Sequence, residues 1–155
     1  MARVGLGRLE VLMESLKREL NMSSSSMTGL GRPVVSLEGL GATKQLTGAD
    51  SGCIIRMGGG NASVVTLPAV AAGLHFRFVA VTASFAHQIN GGATKIQGGF
   101  HHNTNGGTVD RVTVTNRSSI ALHGGNTMIG DTLEFWCDGV NWYVSGTIND
   151  LATLG

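Results

Sequence analysis

The chain carries little charge for its length. Asp, Glu, Lys and Arg make up 14% of its 155 residues, against about 25% in a typical soluble domain, and the formal net charge is +1. Nucleic-acid binding needs clustered basic side chains that neutralise phosphates, and the 11 Lys and Arg residues are scattered. The sequence therefore argues against a nucleic-acid partner, and we expect partner subunits to cover part of a weakly charged surface.

Proline, cysteine, aromatic residues and long apolar runs are also scarce. There are two Pro, two Cys, two Trp, one Tyr and five Phe residues. No apolar run approaches the roughly 20 residues of a membrane-spanning helix, so we expect no membrane partner. The first twenty residues carry charges throughout, unlike a signal peptide, which predicts synthesis in a reducing cytoplasm with free thiols. A bridge between Cys53 and Cys137 is the alternative that the sequence leaves open.

Glycine, by contrast, is abundant. The chain has 24 glycines, about twice the roughly 7% base rate. They cluster at 58–60, 91–92, 98–99, 106–107 and 124–125. Clusters of this kind are typical of turns between short strands. No Gly-Lys-Ser or Gly-Lys-Thr string opens a helix, so a phosphate-binding loop is not expected.

From residue 34 onwards the pattern is that of about ten short strands with frequent turn signals. Leu74, Phe76 and Phe78 alternate with polar residues, as in a half-buried strand. Asp138-Gly139 separates two alternating runs and predicts a β-hairpin, because both residues tolerate a positive φ. We therefore predict a mainly β domain over 34–155, an antiparallel sandwich or barrel-like arrangement of short strands.

An amphipathic helix, here called the arm, is predicted over residues 1–20, and a Ser/Gly-rich linker over 21–33. The arm has an apolar seam with heptad spacing. The seam consists of Leu6, Leu9, Met13, Leu16 and Leu20. A helix this short is marginal in water, so it must dock on its own domain or on another chain. The linker favours another chain.

Three segments together resemble a small β domain found in structural proteins of marine and cyanobacterial tailed phages. They are LTGADSG at 46–52 followed by two isoleucines, VTLPAVAAGL at 65–74 running into FRFV, and GDTLEF at 130–135 with DGVNWYVSG at 138–146. The family pattern has proline and threonine where this chain has Val70 and Val140. The resemblance covers about residues 44–147 and leaves the arm outside.

The resemblance implies a virion component that is not an enzyme and has no cofactor. It implies a capsid decoration, or cement, protein located on the capsid surface after synthesis in the host cytoplasm. Its partners would be the major capsid protein and further copies of itself, a trimer being natural at local three-fold axes. The five seam residues of the arm would then contact the capsid or the other subunits. The alternative is a tail-fibre-associated adhesion module that recognises a receptor or a glycan.

Few residues suggest other chemistry. His101 and His102 are adjacent, and neighbouring side chains in an extended chain point apart, so a shared metal ion would need a chelating turn or a symmetry axis. A solvated or interface loop is the favoured interpretation of this pair. Isolated aspartates are expected to cap turns through backbone N–H groups. These are Asp50, Asp110, Asp131, Asp138 and Asp150.

The large aromatic residues are predicted to lie in the β core or at a subunit interface. They are Phe76, Phe78, Phe135, Trp136 and Trp142. Strand alternation places Trp142 and Tyr143 on opposite faces of one strand, so one of them is expected at the surface. The sequence does not determine which face of the sheet is buried.

Overall fold

A computed structural model of the chain describes residues 32–38, 41–103, 108–122, 124, 127–149 and 153–154. Within these residues the chain forms twelve β-strands and one short 3-10 helix, Gly48–Asp50. The strands are β1 (Val34–Leu37), β2 (Thr43–Gln45), β3 (Ile54–Met57), β4 (Val64–Thr66), β5 (His75–Ala80), β6 (Gln88–Asn90), β7 (Ile96–Asn103), β8 (Val109–Arg117), β9 (Ser119–Ala121), β10 (Thr132–Cys137), β11 (Trp142–Ile148) and β12 (Thr153–Leu154). The predicted arm, its five seam residues and nearly all of the linker lie outside the described residues.

The strands form two mixed sheets, which confirms the mainly β prediction. The seven-stranded sheet has the order β1-β3-β5-β10-β11-β7-β8, and the five-stranded sheet has the order β12-β9-β6-β4-β2. From β1 to β7 the chain alternates between the sheets, so that each strand joins the sheet that its predecessor does not. The two sheets are therefore interleaved along the sequence.

This alternation places parallel strands side by side without helices between them. In the seven-stranded sheet β1, β3 and β5 run parallel, and in the five-stranded sheet β2, β4 and β6 do so. Parallel neighbours need a crossover of about a dozen residues or more, and here a strand of the opposite sheet lies within each crossover. The structure thus corrects one detail of the predicted sandwich, since its sheets are mixed rather than antiparallel throughout.

One hydrophobic core is built from both sheets. In the seven-stranded sheet, Phe78 and Phe135 meet edge to face with their ring centroids 5.3 Å apart, and Phe76 lies 5.8 Å from Trp142. All four rings are fully buried. In an edge-to-face contact the positive edge of one ring meets the negative face of the other, and this attraction adds to the free energy gained by burial. The five-stranded sheet contributes aliphatic residues, among them Val65, Ile89 and Ile120.

The predicted hairpin is confirmed as β10 and β11, paired from Thr132↔Thr147 to Cys137↔Trp142. Its turn is closed by Asp138, whose Oδ1 accepts hydrogen bonds from the amides of Val140 and Asn141, each at 2.8 Å. Gly139 has φ +100°, a conformation that glycine adopts without strain. The hairpin lies in the middle of its sheet, because β10 also pairs with β5 and β11 with β7.

Both cysteines are buried and free, in agreement with the free thiols that the sequence predicted. Cys53 immediately precedes β3 and Cys137 ends β10, and β5 lies between those two strands. Two strand spacings amount to about 9.6 Å, whereas the Cα atoms of a disulfide are at most about 6.8 Å apart. The intervening strand therefore prevents the bridge that the sequence had left open.

Candidate functional site

The solvent-facing side of the central strands of the seven-stranded sheet, here called the outer face, gathers aromatic, charged and hydroxyl side chains. Because residues alternate along a strand, every second residue of β5, β10 and β11 faces the core and the others form rows across the outer face. The three rows are His75–Trp136–Tyr143, Arg77–Glu134–Ser145 and Val79–Thr132–Thr147, each following the strand register.

The first row contains a stacked aromatic pair. Trp136 is 45% exposed, and its ring lies 4.3 Å from that of Tyr143 at an interplanar angle of 15°. Trp142, by contrast, is fully buried. The structure therefore assigns Phe76, Phe78, Phe135 and Trp142 to the core and Trp136 to the outer face.

Asp138 holds this aromatic pair in place. The Tyr143 hydroxyl donates a hydrogen bond to Asp138 Oδ2 at 3.0 Å, and this bond raises the pKa of Tyr143. The amides of Asn141 and Val140, followed by the Tyr143 hydroxyl, hold the pKa of Asp138 below its ordinary value. Because the carboxylate is fixed by its own turn, it restricts the orientation of the Tyr143 ring.

The second row is centred on a half-exposed ion pair. Arg77 Nε lies 3.7 Å from Glu134 Oε1, and both side chains are partly open to solvent. At that distance the contact is electrostatic and not a hydrogen bond, and Arg77 Nε is buried without a hydrogen-bond partner. Sequence reasoning missed these two residues, although their polar character at alternate positions of two apolar strands was a usable signal.

A groove of about 610 Å³ adjoins this ion pair and extends towards the start of β10. Its lining consists of Arg77, Asn103, Met128, Ile129, Gly130, Asp131, Thr132, Glu134, Ser145, Gly146, Thr147, Ile148 and Asn149. Met128 and Ile129 are exposed. The groove therefore combines hydroxyl, carboxamide and charged groups with two apolar side chains.

Asp131 is the buried acid of this groove. Its Oδ2 accepts a hydrogen bond from the Met128 amide and its Oδ1 accepts one from the Asn149 amide, each at 2.9 Å. Burial raises the pKa of Asp131, and the two backbone hydrogen bonds act in the opposite direction. Both oxygens are occupied by the backbone, so the residue fixes the loop before β10.

The other aspartates fit the turn-capping prediction where the structure describes their contacts. Asp50 Oδ2 accepts hydrogen bonds from the Thr47 amide at 2.8 Å and the Thr47 hydroxyl at 2.9 Å, and Lys44 lies 3.4 Å from Oδ1. Burial disfavours the charged form of Asp50, but these contacts outweigh it and lower the pKa. Asp110 is exposed inside strand β8 and pairs with His102 in the strand register, so the turn prediction is wrong at this position. Asp150 lies outside the described residues.

His101 and His102 lie inside strand β7 and not in a loop, so the loop interpretation of this pair is wrong. Their side chains lie on opposite faces of the strand. His101 is exposed and His102 is buried, as strand alternation predicted, and the chain does not bring the two rings together. Among the described residues, no group of three or more His, Cys, Asp or Glu side chains is placed to hold a metal ion.

His87 is a buried polar residue that the sequence gave no reason to single out. It is fully buried and immediately precedes β6. Its Nδ1 accepts a hydrogen bond of 3.1 Å from the Ser63 amide. Burial lowers the pKa of His87. The ring is therefore neutral at physiological pH, since Nδ1 must remain unprotonated to accept this bond.

In the part of the chain that the structure describes, no helix is long and apolar enough to cross a membrane. No family model, curated protein or solved structure matches the chain.

Proposed function

We propose that the chain is a virion structural protein of a tailed phage, a decoration protein that binds the capsid shell as a homo-oligomer, most simply a trimer, and does not act as an enzyme. One observation supports the proposal above the others. The three segments that resemble phage structural proteins are neighbours in the fold, because they lead into β3 and form most of β4, β5, β10 and β11. Strands β3, β5, β10 and β11 are adjacent in one sheet.

The surface of the β domain is consistent with a protein that binds other chains. The chain has few charges, and several large apolar side chains are exposed on the described domain. Apart from the outer face and its groove, they are Val34, Val109 and Val140. Exposed apolar side chains gain free energy when a partner covers them, so these positions favour a domain that packs against neighbouring subunits.

In this proposal the arm binds the shell and holds the β domain on its surface. Burial of apolar surface contributes about 25 cal/mol per Å², so an arm that buries a few hundred Å² supplies several kcal/mol before the cost of ordering it. The seam residues of the arm supply that surface, with the major capsid protein and the other subunits as partners. The protein would be made in the host cytoplasm and reside on the capsid surface.

The test replaces two seam residues, Leu9→Ser with Leu16→Ser, and measures occupancy on purified shells by quantitative mass spectrometry. The matched control is Glu14→Ser with Arg18→Ser, which alters the side of the same predicted helix that lies opposite its seam. We expect the seam variant to lose most of its occupancy and the control to retain it. Equal occupancy of the two variants would refute the anchoring role.

A tail-fibre-associated adhesion module is the second candidate, and the exposed Trp136–Tyr143 pair favours it. Counting copies on each particle separates the two candidates. Hundreds of copies support a decoration protein, whereas a small number places the chain on a tail appendage. Sedimentation analysis of the purified chain tests the predicted trimer in either case.

A further inference from the structure

The outer face has the dimensions of an extended binding surface. Neighbouring rows are separated by two residues along each strand, which corresponds to about 7 Å, so the aromatic row and the Thr132–Thr147 row lie about 14 Å apart. The ion pair lies between them, and the groove opens beside it. A short chain of sugar rings could contact all three rows at once.

The groups on this surface are those that bind sugars. The C–H side of a pyranose packs on an aromatic ring, because the ring face is negative and attracts C–H groups. Sugar hydroxyls need donors and acceptors, and Arg77, Glu134 and Ser145 provide both kinds. The Arg77 and Glu134 side chains are each partly exposed, at 44% and 39%, so a ligand on the outer face can reach both.

The charges favour a neutral sugar over an acidic one. The charge of Arg77 is balanced by Glu134 at 3.7 Å, and Asp131 adds a buried carboxyl group beneath the same groove. A carboxylate or sulfate on the ligand would therefore meet more negative than positive charge. The balance also distinguishes this surface from a phosphate-binding one, which needs clustered cations.

One feature distinguishes this surface from a protein interface, in which Trp, Tyr and Arg side chains are also common. The buried centre of a protein–protein interface is depleted in charged residues, whereas the centre of the outer face is the half-exposed Arg77–Glu134 pair. The aromatic rings are also fixed before any ligand binds, since Asp138 holds Tyr143 and Tyr143 stacks on Trp136. A surface ordered in advance loses less entropy on binding.

From these observations we infer that the outer face, from the Trp136–Tyr143 pair to the adjoining groove, is a binding site for a neutral oligosaccharide. The aromatic pair supports one sugar ring. Arg77, Glu134 and Ser145 bond to hydroxyls of the next. The inference does not depend on the decoration proposal. It deepens the second candidate function, because it names the residues and the ligand class that an adhesion module would use.

The test uses the full chain and three neutral probes, maltohexaose, cellohexaose and chitohexaose, with hexagalacturonate as the acidic comparison. Isothermal titration calorimetry measures affinity. Acrylamide quenching of fluorescence reports on Trp136, because Trp142, the only other tryptophan, is fully buried. We expect at least one neutral probe to bind with a Kd of about 1 mM or tighter and to protect Trp136 from quenching.

Variants locate the site. Trp136→Ala and Glu134→Gln should each weaken binding by about tenfold or more, and circular dichroism confirms that each variant is folded. Val109→Ala, which changes an exposed apolar side chain of edge strand β8, should leave the affinity unchanged.

Three results would overturn the inference: no binding of any neutral probe, preference for hexagalacturonate, or wild-type affinity in both site variants. Shell occupancy separates this inference from the decoration proposal. Trp136→Ala should occupy shells normally, while the seam variant of the arm should retain its affinity for sugar. If Trp136→Ala instead abolishes shell binding, the outer face is a capsid contact and the sugar site is refuted.

Discussion

Phe135 and Trp136 are consecutive residues of β10 that face opposite sides of the same sheet, and alanine substitutions at the two positions should differ sharply. Phe135 is fully buried, whereas Trp136 is 45% exposed. Truncating a buried phenylalanine to alanine costs about 3–5 kcal/mol through lost burial and the cavity left behind. Phe135 also loses its edge-to-face contact with Phe78, which places the expected cost towards the upper end of that range.

Trp136→Ala removes the larger side chain but should cost about 1 kcal/mol, because the ring loses a stacking contact at the surface and leaves no cavity. In a domain of this size, 4 kcal/mol corresponds to a decrease in Tm of roughly 10 °C. Urea unfolding monitored by circular dichroism gives both free energies, and similar m-values would show that the two variants unfold from comparable states.

The outcome that contradicts the assignment is a cost for Trp136→Ala equal to or greater than that for Phe135→Ala. Such a result would mean that the side of the sheet assigned to solvent is in fact covered, by another subunit or by the arm. A concentration-dependent Tm for wild type would then identify the covering element as a second chain.

Two further predictions concern a buried histidine and a glycine. Because burial lowers the pKa of His87 below its ordinary value of 6.5, the unfolded chain binds a proton that the folded chain does not. The free energy of unfolding should therefore be highest above about pH 6.5, fall as the pH decreases towards the lowered pKa of the folded state, and level off below that pKa. His87→Asn keeps an acceptor for the Ser63 amide and should reduce this pH dependence. Urea titrations between about pH 7.5 and about pH 5.5 measure it. Gly146→Ala should lower the Tm more than Gly130→Ala. Both glycines have positive φ, which costs roughly 1–3 kcal/mol for alanine. A Cβ at Gly146 would in addition collide with Thr132 O, whereas a Cβ at Gly130 meets nothing within 4 Å. An equal loss at the two glycines would show that the contact between the strands is unimportant.

The strand content of this chain follows from short-range patterns. Ten of the strands coincide with alternating or apolar runs, and the Asp138-Gly139 turn predicted the hairpin correctly. The other two, β2 and β12, are not predicted. For β2 the reason is that Thr43–Gln45 is a short polar segment with no apolar alternation. Its pairing with β4 is what makes it a strand, and that partner lies outside any local window.

Glycines caused a second type of error. The glycine pattern predicts a turn at Gly98 and Gly99, but both lie inside β7, which runs from Ile96 to Asn103. A Cβ on Gly98 would meet Val144 O, and one on Gly99 would meet Val112 O, each at 2.5 Å. Here the lack of a side chain allows a close approach between backbones, a use of glycine that looks identical to a turn in the sequence.

The candidate site was only partly accessible to sequence reasoning. Alternation showed that Trp142 and Tyr143 face opposite sides, but not which side is buried, because that depends on the second sheet. The stacking of Trp136 on Tyr143 and the meeting of Arg77 with Glu134 depend on strand register, and β5 and β10 are far apart in the chain. The parallel pairing of β1, β3 and β5 and of β2, β4 and β6 could not be predicted either, because it results from successive strands joining alternate sheets.

The position of the β10–β11 hairpin has a consequence for how the chain is made. Until residues 132–148 leave the ribosome, the seven-stranded sheet exists only as two separate pieces, β1-β3-β5 and β7-β8, with a gap between them. Domains begin to fold from the N-terminus during synthesis, but here the two central strands are translated after all the other strands of their sheet. The edges of β5 and β7 that later pair with β10 and β11 therefore stay open in the nascent chain until the hairpin emerges, and open strand edges are sites of wrong pairing and association.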